Sequence, residues 1–467
     1  ADWLAAAGED AATVAEHYDL GGQSARAAGY WEKAARRALA ANALRDAMKM
    51  ADRALTFSEG NEQAFERATL LDEIYSRLDE RAAERGEAIM AMADNAYDEG
   101  CEVRTEGARA RYDHARSAGV EVERRLLDVA SRSAALGMID EQARCLATLA
   151  TRYAYAGELI KAEEEAKGLL ELADTRGVSS AAVDAWQALA VVRQTRGELA
   201  AALEARRNAA HAARAAGLKQ REAMLTINLG FALTTIGAKE EARREIEAGI
   251  RMAEEIGSAG TVRLGRMILL GWAAHFGADP SLDEALNEPR TSADEAATGA
   301  WIVKDRVTLG VLFYRGCELL LGGDRQSLRR ARSLLQISAE AYRQTDNRDV
   351  LPVALGYWAE AERRLGELET AEKIAKEAAD LVDAGAPSLL NETVIYLALH
   401  GARVDLGDLV GAHRAIERGM GPLMRRLRGL RGTEYERRYL ELSHNARLLS
   451  TADAHACLPE ELEPMLE

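Results

Sequence analysis

Small and apolar residues recur along this chain at helical spacing. Ala27, Trp31 and Ala34 fall on one face of a 3.6-period helix, and Ala371, Ala375 and Ala378 repeat the arrangement. Short glycine-containing breaks separate such stretches, and the breaks are periodic. Gly157-Glu-Leu-Ile-Lys-Ala162, Gly197-Glu-Leu-Ala-Ala-Ala202 and Gly237-Ala-Lys-Glu-Glu-Ala242 align without gaps at a spacing of 40 residues. Gly366-Glu-Leu-Glu-Thr-Ala371 and Gly407-Asp-Leu-Val-Gly-Ala412 stand 41 apart, and Gly22-Gln-Ser-Ala-Arg-Ala27 is an earlier copy. In each, Gly can close one helix in a tight turn, and the Ala five residues on lies where the next helix crosses its neighbour closely. A bulky side chain there would push the pair apart.

The unit is therefore helix, Gly turn, helix. The predicted fold is all-α: a right-handed α-α superhelix, or solenoid, of about ten to eleven helix pairs with a ~40-residue period. Residues 1–60 read as entry repeats and 61–276 as a first solenoid segment. Residues 277–298 read as a degenerate repeat or hinge, and 299–467 as a second segment with a C-terminal cap. The degenerate unit is inferred because Ala242 and the next copy, at Ala331, lie 89 residues apart, close to two periods. Turn residues crowd that interval, in Gly277-Ala-Asp-Pro280 and Asn287-Glu-Pro289. Gly322-Gly323-Asp324 predicts a lengthened turn before Ala331. Stepping back by forty from Ala162 reaches Val122 and Ala82, where the Gly-to-Ala signature is lost although helical patterning persists.

Composition supports an elongated array over a single core. The 467 residues are 48% hydrophobic and 29% charged, and strong helix formers dominate. Seven prolines occur, the first at Pro280, so glycine must punctuate everything before it. The formal net charge of −16 argues against a nucleic-acid surface. Cys101, Cys145, Cys317 and Cys457 are scattered, which suits neither a zinc knuckle nor a redox pair and suggests a reducing compartment. Neither a membrane-spanning run nor a signal segment is written, so a cytoplasmic location is expected. The opening Ala1-Asp2-Trp3 lacks an initiator Met, as a piece excised from a larger protein would.

These repeats resemble the tetratricopeptide repeat, whose pattern places a Trp and a Leu-Gly pair on the first helix and Gly, Ala and Ala on the turn and second helix. Trp186, Leu189, Ala190, Gly197, Ala202 and Ala209 fit it best, and Leu229-Gly230 precedes Gly237 in the next unit. The long period is similar to that of bacterial transcription activators of the maltose-regulon type. A second resemblance is carried by Val14-Ala-Glu-His-Tyr-Asp-Leu-Gly-Gly22, Ala27-Ala-Gly-Tyr-Trp-Glu-Lys-Ala-Ala35 and Ala47-Met-Lys-Met-Ala-Asp-Arg-Ala-Leu55. These look like a junction in large bacterial regulators, where a serine/threonine kinase or nucleotide cyclase domain precedes a signal-transducing ATPase module and a helical repeat region closes the chain. Tyr439-Leu-Glu-Leu-Ser-His-Asn-Ala-Arg-Leu-Leu449 is similar to the closing segment of many such kinases. The resemblance covers the repeat region alone, and none of those proteins' catalytic or nucleotide-binding motifs is present here.

No catalytic motif is found. Gly-x-x-x-x-Gly-Lys-Ser/Thr, Gly-x-Gly-x-x-Gly, His-Glu-x-x-His and Gly-x-Ser-x-Gly are all missing. The eight histidines are scattered, and His444 and His455 would stand about three helical turns apart even on one helix. No metal, cofactor or catalytic residue is expected. Runs such as Glu163-Glu-Glu165 read as solvated helix faces. Trp31, Trp186 and Trp358 read as core, whereas Trp272 and Trp301, beside the degenerate unit, could line a pocket.

A solenoid offers a ligand the concave face formed by the first helices of successive repeats. Alignment on the Trp186 unit places Asp184, Gln187, Val191, Gln194 and Thr195 there. Neighbouring units add Arg144, Thr151 and Tyr155 on one side and Met224, Ile227, Asn228, Phe231 and Thr234 on the other. This weakly charged surface suits a polypeptide or a small polar ligand, or it is simply a wet groove. A basic stretch holding Arg425, Arg426, Arg428 and Arg431 reads either as a docking patch for an acidic partner or as the polar side of a capping helix.

The expected function is a non-catalytic region that senses a protein, peptide or small ligand and biases upstream domains of the same chain, with no membrane partner. The alternatives are a stand-alone peptide receptor of the quorum-sensing type and a plain scaffold. A hidden enzyme is the weakest, because no constellation stands at motif spacing.

Overall fold

Glycines at positive φ mark almost every corner of the chain. Gly137, Gly157, Gly177, Gly197, Gly217, Gly237, Gly257 and Gly277 follow one another at intervals of 20 residues, with φ between 68° and 96°. Half of this series is the Gly turn within each helix pair. The other half, Gly137, Gly177, Gly217 and Gly257, closes the second helix and turns the chain into the next pair. Gly22, Gly366 and Gly407, also expected at turns, have positive φ as well.

The computed structural model describes residues 1–41, 43–77, 82–116, 119–277, 279–296, 306–344 and 349–462. The helices of the N-terminal part are α1 (Asp2–Ala6), α2 (Ala11–Leu20), α3 (Ser24–Ala40) and α4 (Leu44–Leu55). They continue as α5 (Asn61–Arg77), α6 (Ala82–Asn95), α7 (Glu99–Arg116) and α8 (Val120–Ala135). The most regular stretch is α9 (Ile139–Ala156), α10 (Leu159–Arg176), α11 (Ser179–Arg196), α12 (Leu199–Ala215), α13 (Lys219–Thr235), α14 (Lys239–Glu255) and α15 (Ala259–Phe276). A 3-10 turn at Pro280–Leu282 leads into α16 (Asp283–Ala296), followed by α17 (Arg306–Gly322), α18 (Arg325–Arg343), α19 (Leu351–Leu365) and α20 (Leu368–Asp383). The chain closes with α21 (Thr393–Asp405), α22 (Leu409–Arg428), α23 (Tyr435–Leu440) and α24 (Ser443–Ala454). No strand occurs among the described residues, so the chain is an all-α tandem array.

Side-chain caps start several helices. Asp10, Asp324 and Asp408 accept backbone N–H groups from the first turns of α2, α18 and α22, satisfying donors that have no partner within the helix. The alanines that follow the Gly turns, Ala27, Ala162, Ala202, Ala242, Ala331, Ala371 and Ala412, are all buried, as close helix crossing requires.

Two units can be distinguished: residues 1–149 with 168–181, and residues 150–167 with 182–467. In the first, separate small cores follow one another along the chain. One holds Val14, Tyr18 and Trp31, another Leu70, Leu71 and Ile74, and a third Phe65, Ile89 and Met92. The Trp31 indole donates to Asp19 (2.7 Å), and buried Arg67 pairs with Glu32 (3.0 Å).

The second unit has a main continuous core running from Leu199 to Leu462, beside a small one at Val183, Ala209, Ala213 and Leu225. The main core includes Trp272, whose indole donates to the Lys239 carbonyl (2.9 Å) while Lys239 and Arg243 lie over its ring. Trp272 is thus a packing residue; Trp301 lies outside the described residues, as do residues 278, 297 and 298 of the degenerate unit. The described part of that unit, α16, packs on α15 and α17 and holds Pro289 within its length.

Within this unit the C-terminal segment also returns to earlier turns. Ala200 N donates to the Gly429 carbonyl (3.0 Å), Gln194 reaches the Leu389 carbonyl (2.7 Å), and Pro387 packs against Gly157. The Tyr435 hydroxyl and the Arg438 guanidinium both donate to the Glu241 carboxylate, at 2.9 and 2.6 Å. The seam therefore brings residues nearly two hundred apart in sequence into hydrogen-bond contact.

Candidate functional site

The residues expected on the concave face have differing settings. Arg144, on α9, is exposed and pairs with Glu141 of the preceding turn (3.4 Å). Asp184 is ion-paired with Arg221, which also approaches Gln187. Ile227 is fully buried and fills the notch left by Gly249, so it belongs to the α13–α14 packing. Thr234 is buried too, its hydroxyl spent on the Gly230 carbonyl one turn back (2.9 Å). Phe231 is half-buried against the main core, Val191 is buried, and Thr151, Met224 and Asn228 are half-buried.

Tyr155, Gln194 and Thr195 have a different setting. Gln194 is buried and lies between two groups: its amide N–H donates to Leu389, and its carbonyl oxygen accepts from Arg206 Nη2 (2.6 Å). Arg206 comes from α12, the second helix of the pair, and is 5% exposed. Tyr155 presents its ring to the Arg306 guanidinium, 4.3 Å from the ring centroid. Arg306 also pairs with Asp349 (2.7 Å), whose side chain is buried. The result is a cluster in the second unit: Tyr155, Gln194, Arg206, Arg306 and Asp349. The Arg306 side chain is 41% exposed, so solvent reaches one edge.

The electrostatics of the cluster are unbalanced. Burial pushes the Arg206 guanidinium below its usual value, Tyr155 opposes that shift, and the neighbouring Arg306 cation adds to it. Three atoms in this region are buried without a hydrogen-bond partner: Arg206 Nε, Thr195 Oγ1 and Asp349 Oδ1. A buried polar group left this way costs about 1–3 kcal/mol, more when charged.

The basic stretch divides. Arg426 is 2% exposed, held by Glu392 (2.6 Å) and by the Ser388 and Leu390 carbonyls (2.9 and 2.8 Å), which corrects its expected place on a surface patch. Arg425 pairs with the other oxygen of Glu392 (3.2 Å). Arg428 is exposed and paired with Glu461 (2.5 Å), and Arg431 is exposed. Of the four arginines only Arg426 thus serves the interior packing of α22, while Arg425, itself exposed, reaches the same carboxylate from outside.

His400 and His455 meet through their Nε2 atoms at 3.1 Å, with the His413 ring beside His455. Among the described residues, no group of three His, Cys, Asp or Glu side chains is arranged to hold a metal ion. The four cysteines are free thiols, three of them buried. No described helix is long and apolar enough to cross a membrane.

Sequence reasoning missed Arg206 and Arg306. Arg206 lies on a second helix, away from the face expected to bind, and a hundred residues separate it from Arg306. A long charged side chain on a packed, Ala-rich helix face was the available signal: Ala202, Ala205, Arg206 and Ala209 are all buried.

No family model matches the chain, and no curated protein matches it. Solved structures do. A chain of the APC/C hetero-tetramer Cut9–Hcn1 aligns at 14% identity, covering 96% of this chain and 91% of that one, with a TM-score of 0.46. The Rap protein complexed with competence and sporulation factor aligns at 11% identity over 85% of this chain and 98% of that one, TM-score 0.40. Yeast Tom70 aligns at 10% identity over 92% and 95%, TM-score 0.33. All three are tetratricopeptide-repeat proteins.

Proposed function

We propose that this chain is a non-catalytic repeat region of a bacterial signalling regulator, which binds a protein, peptide or small polar ligand and thereby biases a kinase, cyclase or ATPase domain. One observation carries the ligand-binding part: the second unit gathers Tyr155, Gln194, Arg206, Arg306 and Asp349 from separate helices and turns, and leaves polar atoms of the group unpartnered. Such convergence is unusual in a helical array whose other buried charges, such as Arg67 and Arg426, are matched to carboxylates. The regulatory part is supported by the resemblance of residues 14–55 and 439–449 to the ends of such repeat regions. A helical array is suited to the role, because a ligand that binds one arrangement of its helices better than another shifts the balance between them.

The test begins with the coding sequence. A frame extending upstream into a kinase, cyclase or ATPase domain is expected. The activity of that domain should change by several fold when residues 1–467 are deleted. A frame without such a domain, or an activity indifferent to the deletion, overturns the regulatory reading.

A further inference from the structure

Among the described residues, three arginines are buried almost completely: Arg67, Arg206 and Arg426, at 4, 5 and 2% exposure. Arg67 pairs with Glu32 at 3.0 Å, and Arg426 pairs with Glu392 at 2.6 Å while also donating to two backbone carbonyls. Arg206 has no carboxylate within ion-pair distance among the described residues. Its one hydrogen-bond partner is the neutral Gln194 side chain, and its Nε is buried with none. An uncompensated cation in the interior is costly, and proteins ordinarily pair it, hydrate it or use it.

The surroundings indicate what would compensate it. Arg306 is close enough to oppose the charge of Arg206, and Arg306 is already matched by Asp349. Among the described residues, two arginines against one aspartate leave one positive charge in the cluster, centred on Arg206. A guanidinium is planar and offers parallel N–H donors, a geometry matched by an oxyanion. One uncompensated charge is neutralised by a monoanion, which favours a carboxylate over a doubly charged phosphate. The part-exposed Arg306 is the solvent edge of the cluster, and the Tyr155 ring lies against its guanidinium.

We propose that Arg206 is the anchor of a carboxylate-binding site, taking the carboxylate of a small molecule or of a peptide in the Tyr155–Arg206–Arg306 cluster. The proposal deepens the ligand-sensing reading and rests on it only for its regulatory consequence. Binding would place the oxyanion against Arg206 Nε, with Gln194, which accepts from Nη2, holding the guanidinium in orientation through its own bond to Leu389.

Thermal unfolding of the purified chain is followed while sodium acetate replaces sodium chloride at constant ionic strength, with inorganic phosphate as a second arm. The wild-type midpoint is expected to rise and saturate with acetate, and to respond less to phosphate. Arg206→Met removes the charge but keeps an unbranched side chain. It should fold with a midpoint at or above that of the wild type in chloride and lose the acetate response, with apparent affinity falling at least about tenfold. Arg206→Lys, which keeps the charge and loses the fork, should show an intermediate response, and serves as the test if Arg206→Met does not fold. A wild-type midpoint that acetate does not move relative to chloride overturns the proposal. So does an acetate response that either variant retains in full. A saturable response to phosphate with none to acetate overturns the carboxylate assignment. An Arg206-dependent acetate response in a chain whose deletion leaves the catalytic domain unchanged would uphold the site and reject the regulatory reading. The reverse pair of results would do the opposite.

Discussion

Gly230 of α13 and Ile246 of α14 interlock: a Cβ placed on Gly230 would stand 2.5 Å from Ile246 Cγ1 and 2.9 Å from the Ala242 carbonyl oxygen. The relationship is reciprocal, since Gly249 of α14 receives Ile227 of α13 in the same way. Each isoleucine is a knob and each glycine its hole, and Ala242 keeps the backbones close between them. Because Ala242 is the small residue five positions after the Gly237 turn, the repeat signature and this close helix contact are one feature.

Gly230→Ala should therefore destabilise the chain by about 1–3 kcal/mol, the range for overpacking a filled core. This holds although alanine is the better helix former. Gly168, inside α10, has open space around its missing Cβ, so Gly168→Ala should instead stabilise by about 0.5–1 kcal/mol. Urea denaturation of the two variants checks the pair. Equal effects would show that the Gly230 notch is not tight.

Arg426 and Glu392 form a pair with both side chains at most 3% exposed. Removing one partner should cost about 3–5 kcal/mol, because the other charge is left buried. Glu392→Gln and Arg426→Met should each lower the unfolding midpoint strongly, whereas Arg426→Met with Glu392→Leu should recover much of the loss. A double variant as unstable as the sum of the singles would contradict the pairing.

The His444 imidazole is pushed down to about 4 by burial first, with the nearby His275 and then Arg447 adding to the shift. It shares a small cleft with His275, Cys317, Tyr357 and Asn391, and its Nε2 lies 3.4 Å from the Tyr357 hydroxyl. The unfolded chain binds the proton more readily, from about pH 6.5 downward. The stability contributed by keeping His444 neutral is thus complete above pH 6.5 and is lost as pH falls toward 4, amounting to roughly 3 kcal/mol across that window. His275 is lowered for the same leading reason, burial, and adds a loss of the same sign. Stability measured between pH 7 and 4 should decline, and His444→Phe should flatten the decline. An unchanged slope in that variant would assign it to other groups.

Much of this architecture was legible because helix ends write themselves locally. Gly157, Gly197 and Gly237 carry an Ala five residues later, and that coincidence exposes the 40-residue period. Of the intervening glycines, Gly177 is also followed by an alanine, Ala182, but Gly137, Gly217 and Gly257 are followed at that position by Gln142, Glu222 and Val262, so the finer 20-residue spacing was largely hidden although the backbone uses it equally. Groove positions were harder. The helix α13 is buried around most of its circumference, including Thr226, Ile227, Leu229 and Thr234, so its sequence has no clear polar face to mark an outside. Contacts such as Gln194 with Leu389, or Arg438 with Glu241, depend on how the chain returns on itself, and no local pattern encodes them.

That return gives the last prediction, from two glycines with the same backbone demand and different neighbours. Gly217 and Gly237 both have positive φ, 69° and 84°. Nothing lies within 4 Å of a Cβ on Gly217, whereas one on Gly237 would meet the Arg438 carbonyl oxygen at 2.4 Å. Gly217→Ala should cost only the left-handed conformation, about 1–2 kcal/mol. Gly237→Ala should cost that and a further 1–3 kcal/mol or so for displacing the Arg438 backbone, which would also strain the Arg438 and Tyr435 bonds to Glu241. Limited proteolysis at native temperature separates the two effects. Gly237→Ala should make the segment around residues 429–440 cleavable well before the rest of the chain, and Gly217→Ala should leave the wild-type pattern. The same cleavage rate at that segment in both variants would mean that the seam does not depend on the close approach at Gly237.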